Sequence, residues 1–495
     1  MHRIKEIYKW LEARLHLEGP LKDAALHPVP RNTASWWYVF GSAAFTLLFL
    51  QIVTGILLAL VYVPSAGEAW SSLNVLNHQL ELGWFLRAMH GWGSNFMVAV
   101  VLVHMAQVFM FGSYKYPREL TWVLGVFLLL MTLGMAFTGQ VLRFDQDAYW
   151  GLGIGASITS RIPIVGGSLV HLLLGGPIIA GATLSRFFAL HVFVVPGSML
   201  LFASLHVWMV LKLGINEWPM PGRIVRRSTY LQEYHDLTHK EGVPFVPVAF
   251  WKDVIFSGAV IAAVAVCAFV FGPYGPSGQP DPNIVQTVPK PDFFFLWIYA
   301  ALAYLPPSME TPFILIAPVI GIAILLGLPF YASEGEKSWY RRPVAVLVLC
   351  TVAISWGVLT HLATFTPWSP HMNAWSGDPV PPRYLHDATP LVRQGAVVFQ
   401  SKQCRNCHAV GGVGGQRGPA LDSIATRMTE DQMIRQVLQG GGNMPAYGKN
   451  LSPPEVTALV TFLETLHPPN EPPAVDASQK EVQTSQIVPS SGSKK

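Results

Sequence analysis

Seven stretches of this 495-residue chain are apolar for long enough to cross a lipid bilayer, and nothing else restricts its fold as strongly. A helix needs about 20 such residues to span the hydrocarbon. The stretches fall at roughly 36–62, 84–111, 121–140, 187–211, 252–272, 312–331 and 343–362. In hydrocarbon each backbone N–H and C=O must be paired within its own segment, so runs of this kind form helices. The expected fold class is all-α, a polytopic transmembrane helical bundle. Charge supports this, because only 13% of residues are charged where about 25% is usual. A wholly water-soluble surface of this size is thereby excluded, and so is a disordered chain. The +4 balance is small and dispersed, which argues against nucleic-acid binding. Four cysteines exclude a disulfide scaffold. Residues 292–306 are apolar but short and proline-bounded, and read as a re-entrant or interfacial helix, with an eighth span as the alternative.

Basic residues set the expected orientation. With the N-terminus cytoplasmic, the segments 1–35, 112–118, 212–252 and 331–342 carry 17 Lys and Arg, against 4 in 63–83, 140–186 and 272–311. Seven spans then place everything after residue 363 outside the cytoplasm. Residues 1–35 form a charged, amphipathic cytoplasmic segment with no apolar run, so no cleavable signal peptide is expected there. A four-helix core over 36–215 and a three-span part over 216–363 complete the membrane region. Residues 364–386, rich in Pro, Trp and His, read as a linker. Residues 387–467 have globular composition and helical periodicity, and 468–495 read as a disordered tail.

The second span contains His90 and His104, and the fourth His191 and His206. Ionisable side chains at membrane depth are costly and usually functional. Fourteen residues turn a helix by about −40° net and advance it ~21 Å, and fifteen turn it by about +60° and advance it ~22 Å. Each pair therefore shares roughly one face at two levels, and His90 can face His191 while His104 faces His206. Two facing imidazoles suit the axial positions of a haem iron; four unrelated, locally satisfied histidines are the alternative. Gly41 and Gly55, and Gly125 and Gly139, repeat the fourteen-residue step. They are expected to let a flat macrocycle approach the backbone, or else to allow close helix packing. Arg87, Arg118 and Arg186 stand at span ends where haem propionates would emerge.

At these residues the chain resembles cytochrome b of the quinol–cytochrome c oxidoreductases, the cytochrome bc and b/f complexes. LRAMHGWGSNF at 86–96, YPRELTWVLG at 116–125, ATLSRFFALH at 182–191, PDFFF at 291–295 and RRPVA at 341–345 carry the resemblance over about 5–363. The extra residue between His191 and His206, and the end after seven spans, look like the b/f branch; the undivided chain resembles bacterial bc complexes. The resemblance implies two non-covalent b-type haems, on His90/His191 near the outer side and His104/His206 near the inner one. It implies that Asp292, with Phe293 and Phe294, belongs to the quinol-oxidation motif, Asp292 accepting a quinol proton. By the residues alone, Asp292 reads as a helix N-cap after Pro291. Asp23 and Lys212 are candidates for the quinone-reduction site. In three places the chain departs from the family pattern: the motif's tyrosine is replaced within Phe293–Phe294, Arg143 stands where a proline is usual, and Val39 where the b/f branch has a haem-tethering cysteine.

Cys404-Arg405-Asn406-Cys407-His408 is a CxxCH sequence, which reads as covalent attachment of a c-type haem with His408 as proximal ligand. A metal or redox CxxC is the alternative. Met444 is the candidate distal ligand, whereas Met428 and Met433 look like helix-face residues. GGQRGPAL at 414–421 resembles the loop supporting the proximal histidine in class I cytochromes c.

The expectation is thus a cytochrome b/c fusion subunit of a proton-translocating quinol oxidoreductase in a bacterial cytoplasmic membrane. By the resemblance it works with a Rieske iron–sulfur protein, membrane quinol and quinone (menaquinone or ubiquinone type) and a downstream electron acceptor, as a homodimer. A di-haem conduit for another quinone-linked dehydrogenase is the alternative, and a transporter or structural scaffold a third.

Overall fold

The computed structural model describes residues 2–16, 19, 22, 25–176, 179–281, 290–365, 379–415, 418–440, 444, 447–448 and 450–475. Seven helices among them are long and apolar enough to span a membrane: Phe40–Ala59, Gly83–Met110, Glu119–Leu142, Gly181–Leu213, Phe245–Phe271, Met309–Tyr331 and Pro343–Phe365. They match the seven apolar runs, and the outward faces stay apolar, with Phe49, Leu60, Phe193, Val266 and Val348 among the exposed side chains. That is how lipid-facing helices look without their solvent.

The chain divides into two compact units. The first comprises residues 1–149, 180–279 and 315–357. In it the first span packs on the second, the third on the fourth, the second on the third, and the fifth on the first two. The interior between them is built from Ala43, Leu47, Met97, Met199, Ala203 and Val264. Small antiparallel pairs, Pro28–Pro30 with Gly242–Pro244 and Ile224–Val225 with Gly335–Glu336, tie the connecting segments at the chain's basic end.

One irregularity matters for the site. The fourth span is α-helical over Gly181–Ala189 and Val195–Leu213, with a π-helical turn at Leu190–Val194 between them. Val195 N–H bonds the Leu190 carbonyl five residues back, and Pro196, the next residue, has no N–H to offer. A π-turn absorbs one extra residue. The fifteen residues from His191 to His206 therefore step round the helix much as the fourteen from His90 to His104 do.

The second unit comprises residues 150–179, 280–314 and 358–495. The apolar segment after Pro291 is a nine-residue helix, Leu296–Tyr304, too short to span, whose Tyr299 and Ala300 pack with Ala363. In the C-terminal domain, helices Pro390–Ser401 and Pro453–Glu464 cross at Gly395, where a Cβ would meet the Ala458 carbonyl at 1.9 Å. Phe399, Phe462, Leu459, Val437 and Val410 fill its core. Residues 366–378 of the expected linker and 476–495 of the expected tail lie outside the described residues.

Candidate functional site

The second and fourth spans bring the histidines together in pairs. The rings of His90 and His191 lie 6.2 Å apart, centre to centre. This is the span of two imidazoles ligating one ion end to end: two metal–nitrogen bonds of about 2.0–2.1 Å each plus the inner halves of the rings. His104 and His206 are likewise neighbours, both half-buried.

The four glycines face these rings rather than lipid. A Cβ on Gly55 would stand 3.2 Å from His90 Cε1, and one on Gly41 3.2 Å from His104 Cε1. On the third span, Gly139 and Gly125 hold the same relation to His191 and His206, at 2.8 and 3.5 Å. The fourteen-residue step is thus the imprint of the histidine ladder on its neighbouring helices. The expectation that these glycines clear room for a macrocycle is refined, since the nearest atoms are the imidazoles themselves.

Two threonines, missed in the sequence, favour one tautomer in one pair. Thr54 Oγ1 lies 2.9 Å from His90 Nδ1, and Thr138 Oγ1 2.9 Å from His191 Nδ1. Each hydroxyl donates its single proton to the carbonyl one turn back, Leu50 at 2.7 Å and Gly134 at 2.9 Å. Towards the ring it can then only accept. Nδ1 carries the hydrogen and the Nε2 lone pair is left for a metal. The sequence signal was present as Thr-Gly at 54–55 and 138–139.

The charged candidates fare differently. Arg87 is buried and donates to Asn77 Oδ1 and to the carbonyls of Tyr274 and Gly275, and Arg118 donates to the carbonyls of Leu213 and Gly214 and to the Tyr230 hydroxyl. Both guanidinium groups bind carbonyls at or just past the end of a span, Arg118 after the fourth and Arg87 after the fifth. Arg186 and Lys212 are exposed, and Asp23 lies outside the described residues. The buried cation in the 331–342 segment is Lys337, 1% exposed, paired with Glu217 at 3.0 Å. Burial would push the Glu217 carboxyl up, but the Lys337 ammonium and Arg118 pull it down to about 2. Nothing local marks this cluster, because Arg118, Glu217, Tyr230 and Lys337 are far apart in the chain.

Asp292 begins the turn into the short helix, its carbonyl accepting from Phe295 N–H. The N-cap of this helix is Phe295, three residues after Asp292. Phe294 is buried between Phe293 and Phe295, at 5.2 and 4.9 Å. Arg143 pairs with the fully buried Asp145 at 3.4 Å and covers the Tyr274 ring at 4.7 Å. Asp145 in turn accepts from Ala148 N–H and Ser277 N–H. The loop that a proline would stiffen is here fixed by an ion pair.

In the C-terminal domain, Cys404 opens a 3-10 turn, Cys404–Asn406, that leads to His408, and neither Cys404 nor Cys407 is in a disulfide. Burial pushes the Cys404 thiol up to about 12. His408 Nδ1 donates to the Pro419 carbonyl at 2.9 Å, again leaving Nε2 free for a metal. Gly418 lies so close that a Cβ would meet the ring at 2.3 Å. Met444 borders the core and accepts from Gln436 Nε2 at 3.6 Å, while Met433 is a core residue.

Paired imidazoles at two levels of a membrane bundle, with a CxxCH domain later in the chain, define an integral membrane protein of the cytochrome class. The comparisons agree. A family model described as cytochrome b/b6/petB matches residues 25–214, and one described as cytochrome c oxidase, cbb3-type, subunit III matches 390–463. The chain is 34% identical over 305 residues to cytochrome b of Rhodobacter capsulatus, covering 60% of this chain and 67% of that one. It is 33% identical over 350 residues to cytochrome b/c1 of Bradyrhizobium diazoefficiens, covering 68% of this chain and 47% of that relative. A solved chain described as hyperthermophilic respiratory Complex III superposes with a TM-score of 0.61 at 26% identity, covering 72% of this chain and 91% of that one. This chain belongs to the cytochrome b/b6 family and carries a cytochrome c domain at its C-terminal end. Both domains imply haem binding.

Proposed function

We propose that this chain is the cytochrome b/c subunit of a bc-type quinol oxidoreductase in a bacterial cytoplasmic membrane. The observation that carries the reading is the stacked histidine ladder, backed by its glycines. His90 with His191, and His104 with His206, hold two b-type haems; Cys404 and Cys407 tether a c-type haem, with His408 and Met444 as its ligands. Haem bound at these sites supplies one-electron chemistry, iron passing between ferric and ferrous states.

The chain's own groups do the rest. The helix rise separates the two histidine levels by ~21 Å along the span, so an electron passing between them crosses low-dielectric core. The buried apolar shell of Met97, Met199 and Val264 excludes water from that path. Asp292 accepts a proton from quinol on its carboxylate and gives it up to the outer aqueous side. The cytoplasmic quinone site takes the second electron. The first leaves through a Rieske partner, which a chain with four cysteines, two of them in CxxCH, does not itself supply. Family resemblance supports that partner and a homodimer.

Purification of the native complex tests the reading. A pyridine haemochrome assay is expected to give two b haems and one c haem per chain, with quinol-driven reduction of the c haem. Asp292→Ala is expected to abolish turnover with all haems retained. Full turnover in that variant would favour the electron-conduit alternative, and absence of b haem would end the proposal.

A further inference from the structure

The two histidine pairs are built differently. Around His191 and His206 the backbone is equivalent, with the carbonyls of Met135 and Thr121 beside the rings, each four residues before the facing glycine. The hydroxyls are not. Thr54 and Thr138 stand immediately before Gly55 and Gly139 and accept from His90 and His191. Immediately before Gly41 and Gly125 stand Phe40 and Leu124. No side-chain hydroxyl bonds His104 Nδ1 or His206 Nδ1 among the described residues, and His206 has only the Thr121 carbonyl beside it.

An acceptor on the far ring nitrogen makes an imidazole a stronger donor to its metal. A stronger donor stabilises ferric iron relative to ferrous and so lowers the reduction potential. Each threonine oxygen is an acceptor by construction, its proton being committed to the carbonyl one turn back. We propose that Thr54 and Thr138 set the redox order of the two b-haem sites, making the His90/His191 site the harder to reduce. A haem held by His104 and His206 would be the easier of the two to reduce. The inference rests on the haem reading above, and both threonines are positioning residues that act through their histidines.

Potentiometric titration of the b-haem α-bands in the purified holoprotein tests it, with haem content counted on the same samples. Thr54→Val and Thr138→Val are each expected to raise the lower-potential component by about a tenfold change in its reduction equilibrium, 59 mV for one electron. The other component stays in place, and Thr54→Ser and Thr138→Ser restore the lower value. The reciprocal variant, Leu124→Thr, supplies a hydroxyl beside His206 and is expected to lower the higher-potential component. If the Val variants retain two b haems with unshifted potentials, or if both components move together, the proposal is wrong. If the Val variants lose haem, Leu124→Thr decides, and an unmoved component there overturns the idea. A wild-type protein without b haem would instead sink the haem reading itself.

Discussion

Lys337 touches almost every polar group within its reach. Its ammonium lies 3.0 Å from Glu217 Oε2 and 3.3 Å from the Tyr230 hydroxyl, and it donates to Asn216 Oδ1. Tyr230 in turn donates to Glu217 at 2.7 Å and accepts from Arg118 at 2.7 Å. Removing one member of a buried pair strands the other charge, which costs about 3–5 kcal/mol. Lys337→Met and Glu217→Gln are each expected to lower the thermal midpoint of the detergent-solubilised protein. The double variant is expected to recover much of the loss, because neither charge is then left alone. The pH dependence follows from the Glu217 carboxyl, drawn down to about 2 from an unfolded value of about 4.3. A depressed carboxyl contributes stability that is complete above the unfolded value and is lost as pH falls towards the folded one. Midpoints measured from pH 6 down to 3 should fall less steeply in Glu217→Gln; an identical slope would contradict the assignment.

At the scale of the helix, much was legible in the sequence because periodicity is a local property. Length and hydropathy mark the seven spans, and a fourteen-residue step places His90 above His104 before any coordinate is known. The π-turn was not legible. It needs an i to i−5 bond at Leu190–Val195, which no apolar pattern encodes, and it explains why a fifteen-residue spacing serves like a fourteen-residue one. The Glu217–Lys337 cluster was hidden for another reason. It is assembled by three connecting segments, and Lys212, nearer a histidine in sequence, proves exposed. The glycine contacts yield a graded expectation. A methyl on Gly139 would meet His191 at 2.8 Å, and Thr138 holds that ring so that it cannot swing aside. A methyl on Gly125 would meet His206 at 3.5 Å, an ordinary contact. Gly139→Ala is therefore expected to lower b-haem content by about half in the haemochrome assay, and Gly125→Ala to leave it near wild type. Equal loss in both would mean that the glycines serve helix packing generally.

For the whole molecule, the odd number of candidate spans among the described residues carries the strongest consequence. Segments separated by seven crossings face opposite sides, and 17 basic residues against 4 are the ground for expecting residues 1–35 in the cytoplasm. On that expectation the CxxCH domain faces outward, which is also where covalent haem attachment takes place in the resembled family. These two arguments share no residues, since one counts Lys and Arg in residues 1–342 and the other reads Cys404, Cys407 and His408. Protease added to sealed right-side-out vesicles should release a fragment that includes 390–463 and stains for covalent haem on a denaturing gel. A tag at residue 1 should survive the same treatment. Cys404→Ala should weaken or abolish the stain while the b-haem spectrum persists, because the histidine ladder and the CxxCH site belong to separate compact units. A protected haem-staining domain beside a degraded N-terminal tag would invert the expected topology, and with it the direction of the proton release proposed for Asp292.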